Sequence, residues 1–164
     1  MQYPICGACV SSSELCGLCS ELVKTGAVSQ LDVSVSRFMK KLEDNYAITG
    51  ADLVKTYDLN SFILIVGRGK ISGMIGRGGR NIRLLSSEFK KKIRIIKEGD
   101  VRQMVSDLVS PAKIAGVNVL YTNEGEKFKV VIPSSDRKKI YMDEKTLNAA
   151  VEALFKGDVV INYQ

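Results

Sequence analysis

A glycine-rich segment between an apolar strand and a basic helix constrains this sequence more than any other feature. The apolar run at 61–67 predicts a buried strand, and apolar residues recur at helical spacing from Ile82 to Phe89. Between them lies the glycine loop, Gly76-Arg-Gly-Gly79. The segment does not match the phosphate loop of nucleotide-hydrolysing enzymes. It is not a dinucleotide-binding fingerprint either, because Asn81 stands where the fingerprint needs its third glycine. The predicted order is strand, short helix, glycine loop, helix and strand.

The glycine loop has the chemistry of a clamp for single-stranded nucleic acid. Gly76, Gly78 and Gly79 can adopt a positive φ, which lets a ribose-phosphate backbone approach the main chain closely. The amides at the start of the following helix favour an anion in the same space. A Gly-x-x-Gly turn in this context resembles the loop of a KH domain, which holds about four nucleotides.

Positive charge is concentrated around the same loop. The chain has 24 Lys and Arg against 18 Asp and Glu, yet ten of the basic residues and only one acid, Glu88, lie between Gly67 and Lys97. This density is typical of a surface that meets phosphates, although a solvated basic face is the alternative. The predicted RNA-binding residues are Gly76, Arg77, Gly78, Gly79, Arg80, Arg83, Arg68, Lys70, Lys90, Lys91 and Lys92.

All four cysteines of the chain fall in one short stretch, as two Cys-x-x-Cys pairs. Cys6 and Cys9 form the first pair, and Cys16 and Cys19 form the second. Two such turns complete a tetrahedral shell of four thiolates, which suits a single structural zinc ion because no coordination position stays open for a substrate. Two disulfides and an iron–sulfur cluster are the alternatives.

The sequence also contains an internal repeat, because a shift of 65 residues superimposes two halves. One pair of segments opens a helical pattern in each half, and two pairs match strand on strand. These segments are 35–39 with 100–104, 63–66 with 128–131, and 93–96 with 158–161. We therefore expect two units of the same fold, each packing helices on one face of a small mixed sheet.

The repeat places a different sequence at the second loop, residues 140–144. There Tyr141 and Glu144 stand in place of the two defining glycines, and Asp143 adds a second acid where a phosphate would lie. The second unit is therefore expected to keep the fold without the clamp. A basic cluster just before it, Arg137-Lys-Lys139, is interpreted either as a lateral RNA contact or as a solvated turn.

These motifs together resemble the archaeal NusA-like proteins. The stretch Ile75–Arg83 looks very like the NusA KH loop, and Cys16-Gly-Leu-Cys19 is similar to the N-terminal zinc-binding element of some archaeal members. The resemblance implies an α/β (α+β) fold of tandem type II KH domains with a small zinc-binding element. The expected parts are a zinc-binding element at 1–22, a connector at 23–32, a first KH domain with an intact loop at 33–99, and a second with a degenerate loop at 100–164.

The resemblance implies an RNA-binding function. We expect single-stranded RNA on the first KH domain, in a factor for transcription elongation, termination or RNA processing, with RNA polymerase as the larger partner. The alternative is a structural or associated protein of the small ribosomal subunit.

Other classes of protein are disfavoured by what the composition lacks. The chain has no His, which removes Ser-His-Asp and Cys-His catalysis, and no acid–base pair stands out, so neither an enzyme nor a small-molecule substrate is expected. The chain start has neither a basic region nor an apolar core of a secretory signal, and no apolar run approaches 18 residues. The predicted location is the cytoplasm, away from the membrane.

Overall fold

A computed structural model describes all residues, 1–164, and divides the chain into two compact units, Met1–Lys97 and Glu98–Gln164. The chain forms seven α-helices, two 3₁₀ helices (Arg77–Gly79 and Ser134–Lys139) and two three-stranded sheets, so the predicted mixed α/β fold class is confirmed. The helices are α1 (Gly7–Val10), α2 (Gly17–Lys24), α3 (Gln30–Tyr46), α4 (Ser72–Ile75), α5 (Arg80–Phe89), α6 (Val101–Val109) and α7 (Glu144–Phe155). The strands are β1 (Ala51–Asp58), β2 (Phe62–Gly69), β3 (Lys92–Lys97), β4 (Gly116–Thr122), β5 (Gly125–Ile132) and β6 (Val159–Tyr163).

None of the seven helices has both the length and the apolar character needed to cross a bilayer.

The long helix of the first unit, α3, begins earlier than the sequence pattern suggested. It starts at Gln30, within the stretch expected to be a connector and before the helical pattern read from Val35. The cause is a capping box, in which the Ser29 side chain accepts from the Asp32 amide and the Asp32 carboxylate accepts from the Ser29 amide. The helix ends at Tyr46, because Ala47 adopts a left-handed conformation with φ of 48°.

The first sheet has the order β1-β2-β3 and is mixed, as expected. Strand β1 runs antiparallel to β2, with Ala51 opposite Gly69, and β2 runs parallel to β3, with Phe62 opposite Lys92. One apolar core joins this sheet to α3, α4 and α5. Its largest buried side chains are Met39, Ile63, Ile65, Met74 and Leu85.

The second unit repeats this order of elements. Strand β4 runs antiparallel to β5 and β5 runs parallel to β6, as β1, β2 and β3 do in the first sheet. A 3₁₀ helix at Ser134–Lys139 takes the place of α4, and α7 follows with Leu147 and Val151 buried. In both units the sheet therefore brings the loop before the last helix to the carboxyl end of the central strand.

Candidate nucleic-acid interface and metal centre

The glycine loop is fixed in place by the side chain of Asn81. Helix α4 ends at Gly76, whose φ is 81°, and a Cβ on Gly76 would lie 2.8 Å from the Asn81 Cγ. Asn81 is fully buried and donates from Nδ2 to the carbonyl of Gly73, at 3.0 Å. Only glycine therefore fits at position 76, because any side chain there would displace the buried amide that joins α4 to α5.

The N-terminus of α5 lies directly behind this loop. Its N-cap residue is Gly79, with φ of 75°, and no side chain caps the helix. The first amides of a helix have no partner within the helix and carry a partial positive charge. The loop itself forms a 3₁₀ turn, in which the Gly79 amide donates to the Gly76 carbonyl at 3.1 Å and the Arg80 amide donates to the Arg77 carbonyl. The positive end of the α5 dipole therefore lies behind a loop that carries no carboxylate.

Three of the predicted cations line a cleft beside the loop. Lys70, Arg77 and Arg80 lie around a cleft of about 330 Å³, together with Tyr46 and Gly76. The Arg80 guanidinium carbon lies 3.6 Å from the centre of the Tyr46 ring. This group combines positive charge with a planar aromatic surface.

Two more of the predicted arginines lie close to this group. Arg83 is exposed on the next turn of α5 and donates from Nη1 to the carbonyl of Gly78, which holds its charge at the loop. Arg68 is exposed near the end of β2, at the same end of the sheet as the loop, in register with Asp52 of β1.

The three predicted lysines, Lys90, Lys91 and Lys92, lie elsewhere. They follow the far end of α5, which at ten residues spans roughly 15 Å. Lys91 pairs with Asp58 at 2.8 Å, and this ion pair lowers the pKa of the Asp58 carboxyl. Lys92 lies 5.5 Å from the centre of the Phe62 ring. The structure therefore does not bring these lysines together with the glycine loop.

In the second unit the corresponding helix end is already capped. The Asp143 carboxylate accepts from the Thr146 amide at 3.2 Å, and hydrogen bonds from Thr146 lower the pKa of Asp143. Glu144 forms an ion pair with Arg137, whose guanidinium carbon also lies 4.8 Å from the centre of the Tyr163 ring. In the second loop, the Asp143 carboxylate therefore caps the helix, and the Glu144 carboxylate neutralises Arg137.

The basic cluster before the second loop is mostly paired within the unit. Besides the Arg137–Glu144 pair, Lys139 contacts Asp136 at 2.9 Å. These contacts favour the solvated-turn interpretation of the cluster over the lateral RNA contact.

The four cysteines converge on one point. Their sulfur atoms all lie within 4.8 Å of one another, and the Sγ atoms of Cys6 and Cys16 are 4.0 Å apart. Cys6 and Cys16 precede α1 and α2, so each pair lies at the start of a short helix. Main-chain amides donate to the sulfurs, from Cys16 to Cys9 at 3.0 Å and from Cys6 to Cys19 at 3.4 Å. This arrangement is compatible with one ion held by four thiolates.

The electrostatics of the cysteine cluster differ between its exposed and its buried thiols. All four thiols are free of disulfides. The Cys19 amide and the neighbouring thiols lower the pKa of Cys16 to about 7. The Cys16 amide lowers the pKa of Cys9, but burial and the other thiols outweigh it and raise that pKa to about 12. Because Cys9 and Cys19 are buried in an apolar cluster with Val10 and Val33, the site braces this part of the unit.

Sequence reasoning missed two residues of the loop region, Tyr46 and Asn81. Asn81 lies two residues after the loop, and its position close to three glycines is a signal that could have identified it. Tyr46 comes 34 residues before Arg80, and only the packing of α3 against the loop brings the two together. No sequence pattern predicts that contact.

Comparisons with known proteins find a distant relative by sequence and a similar fold among solved structures. No family model matches the chain. It is 29% identical over 108 residues to the probable transcription termination protein NusA of Methanococcus vannielii. The chain is a distant relative of an archaeal NusA. The match covers 64% of this chain and 62% of that protein, so the chain spans less than two thirds of this relative's length.

A solved structure supports the fold. The crystal structure of APE1850 superimposes with a TM-score of 0.55 at 24% identity, covering 77% of this chain and 96% of that one. This likeness concerns the architecture alone.

Proposed function

We propose that this protein is a NusA-like, non-enzymatic factor that binds single-stranded RNA through its first unit. In this proposal both units are type II KH domains, with the expected boundaries 33–99 and 100–164, and only the first carries a working clamp. One observation carries the proposal, namely a glycine loop without any side-chain cap at the start of α5, beside a cleft lined by Lys70, Arg77 and Arg80. The distant NusA relative supports it.

The proposed clamp works by charge and by close approach. A phosphate of the RNA lies against the glycine loop at the positive end of the α5 dipole, while Arg77 and Arg83 neutralise the adjacent phosphates. The missing side chain at Gly78, where a Cβ would meet nothing within 4 Å, leaves the main chain accessible from outside. The bases extend past the loop over the surfaces of the neighbouring helices and strand.

The cellular role that follows is in transcription elongation or termination, with nascent RNA and RNA polymerase as partners. It is proposed from the similarity to a protein named for transcription termination. A gradient of native lysate, before and after a high-salt wash, tests this role. Recovery with polymerase supports it, whereas salt-resistant, near-stoichiometric migration with the small ribosomal subunit would replace it with the ribosomal alternative.

The clamp is tested by reversing its charge. The double variant Arg77→Asp, Gly78→Asp is expected to abolish measurable affinity for a fluorescently labelled single-stranded RNA, with an unchanged circular dichroism spectrum. For the wild type, the logarithm of affinity should fall with the logarithm of salt concentration by about 0.7 per phosphate neutralised. RNA binding that survives the double variant, or a flat salt dependence, would show that the loop is not the site.

A charge-matched pair of variants separates the loop from the overall charge of the protein. Arg77→Asp and Lys92→Asp change the net charge equally, but Lys92 lies beyond the far end of α5. We expect Arg77→Asp to weaken binding by at least tenfold and Lys92→Asp by less than threefold, because only the first places a carboxylate beside a bound phosphate. Equal losses of affinity in the two variants would mean that RNA binding depends only on the net charge of the protein.

We also propose that the cysteine cluster holds one structural zinc ion. A closed set of four thiolates favours zinc over the harder divalent metals, and it leaves no position for a reactive water molecule. Protein purified without a chelator should contain one zinc per chain, and Cys16→Ser should reduce that content and lower the melting temperature. Iron in place of zinc, or well under one zinc per chain, would contradict this assignment.

A further inference from the structure

The contact between Tyr46 and Arg80 lies outside the Gly-x-x-Gly turn and joins a different helix to it. Tyr46 is the last residue of α3, and its side chain is 41% exposed. The Arg80 guanidinium carbon is 3.6 Å from the ring centre, which is stacking distance. Arg80 Nε donates to the Asn81 Oδ1 at 3.4 Å, a neutral partner, so the positive charge of Arg80 is not offset by a carboxylate.

The cleft beside this pair has a composition that suits one nucleotide. One wall comes from the end of α3 and the turn after it, Tyr46 to Thr49, and the other from Lys70, Ser72 and the glycine loop. Its volume of about 330 Å³ lies at the lower end of the range for small-ligand sites, about 300–1,000 Å³. Three cations line it and no acid does. A ligand that is both anionic and flat matches these walls.

We propose that this cleft holds one nucleotide of the bound RNA, with its base stacked on the Arg80 guanidinium, which Tyr46 orients from beneath. The proposal rests on the proposed RNA-binding function and adds a specific subsite to it. Arginine planes and aromatic rings are common stacking partners for unpaired bases. Lys70 and Arg77 lie on the same cleft and neutralise the phosphate of that nucleotide. Tyr46 is thus a positioning residue that acts through Arg80.

Three variants test the stack. Tyr46→Ala should weaken binding of a single-stranded RNA by about tenfold, the effect of one base stack. Tyr46→Phe should bind like the wild type because it keeps the ring, and Arg80→Lys should lose about as much as Tyr46→Ala because it keeps the charge but not the plane. Tyr121→Ala is the matched control, since Tyr121 is 80% exposed in β4 of the second unit.

Two further readouts distinguish stacking from a structural role. The salt slope of Tyr46→Ala should equal that of the wild type, because the number of neutralised phosphates is unchanged. An RNA with one abasic position, moved along the strand, should reveal a position that costs the wild type about tenfold and costs Tyr46→Ala nothing more.

The possible failures are distinct. A wild-type chain without RNA affinity overturns the proposed function and this subsite together. If the wild type binds and Arg77→Asp does not, then full affinity of Tyr46→Ala, or equal abasic losses in both proteins, overturns the subsite alone. A lowered melting temperature of Tyr46→Ala together with a changed salt slope would assign Tyr46 to the fold of the loop instead, which also contradicts the proposal.

Discussion

The two units of this chain solve the same local problem in opposite ways. Each must satisfy the free amides at the start of its last helix. In the second unit the helix does so itself, through the Asp143 carboxylate at its N-cap. In the first unit no side chain caps α5, and the Gly79 and Arg80 amides donate to main-chain carbonyls of the glycine loop, so no carboxylate lies at this helix end. The fold therefore does not require a glycine loop at this position, because the second unit keeps the same order of elements without one.

The arginines of the two units show the same contrast. Arg80 and Arg137 each lie over a tyrosine ring, Tyr46 and Tyr163 respectively. Arg137 is also paired with Glu144, the residue that occupies the position of Gly79 in the repeat. Glu144 thus neutralises Arg137 and also stands where the first loop has a glycine. The order of helices and strands around the loop is the same in both units, so the chemistry of the loop depends on its charge balance.

The largest expected effect concerns a buried carboxylate in the first unit. Asp32 is fully buried and accepts from the Lys55 Nζ at 2.6 Å, and from the Thr56 amide at 2.8 Å and hydroxyl at 2.7 Å. Asp32→Asn should lower the free energy of unfolding of the first unit by about 2–3 kcal/mol, since hydrogen bonds to charged groups are lost. Urea unfolding followed by hydrogen exchange measures it for each unit separately, and protection in the second unit should not change.

The same carboxylate makes the first unit sensitive to acid. Burial raises the pKa of Asp32, but hydrogen bonds from Lys55, Thr56 and the Ser29 amide outweigh it and hold that pKa below its usual value. Its contribution to stability is therefore present above the unfolded pKa, about 3.9, and is lost as the pH falls through the lower folded value. Asp32→Asn should flatten this part of the pH profile, and an unchanged profile would contradict the assignment.

The next effect transfers one feature of the second loop to the first. Gly79→Glu places the residue of position 144 at the start of α5 and should weaken RNA binding by at least tenfold, which corresponds to about 1.4 kcal/mol. The control is Gly79→Gln, which has the same size and the same strain at a φ of 75° but no charge. Fluorescence anisotropy at fixed salt compares the two variants. Equal losses would attribute the effect to strain, and the contrast between the loops would then not be one of charge.

The sequence predicted those parts of the fold that depend on local patterns. The strands at Ile63–Val66 and Ile93–Ile96 lie within β2 and β3, and the mixed α/β class is confirmed. Strand β1 was missed, because a bulge between Leu53 and Lys55 interrupts the alternation of buried and exposed residues that identifies a strand. The early start of α3 was missed too, although Ser29-x-x-Asp32 is a readable capping pattern.

In the candidate site, too, the sequence predicted motifs that lie within one short segment, and it did not predict contacts between residues distant in sequence. The glycine loop and the cysteine pairs were readable because each is contained in a short segment. Their roles in binding RNA and zinc stay predictions. Lys90, Lys91 and Lys92 were grouped with the loop because they are near it in sequence, but α5 carries the chain away from it. Tyr46 was absent from the prediction because its contact with Arg80 exists only in the folded unit.

The smallest effect tests the self-capped helix of the second unit. Asp143→Ala removes the carboxylate that accepts from the Thr146 amide and should lower the free energy of unfolding of that unit by about 1 kcal/mol. For a unit of this size the melting temperature should fall by about 4–8 °C. Affinity for RNA should stay at the wild-type value, because Glu144 still pairs with Arg137 and no glycine clamp is restored.

Asp143→Asn is the matched control for this last variant, since asparagine is an equally good N-cap residue without the charge. It should keep most of the stability that Asp143→Ala loses. If it instead increased RNA affinity, the negative charge of Asp143 would be what keeps RNA away from the second loop. The second unit would then be a blocked binding site, and the contrast between the units would rest on Asp143 more than on the missing glycines.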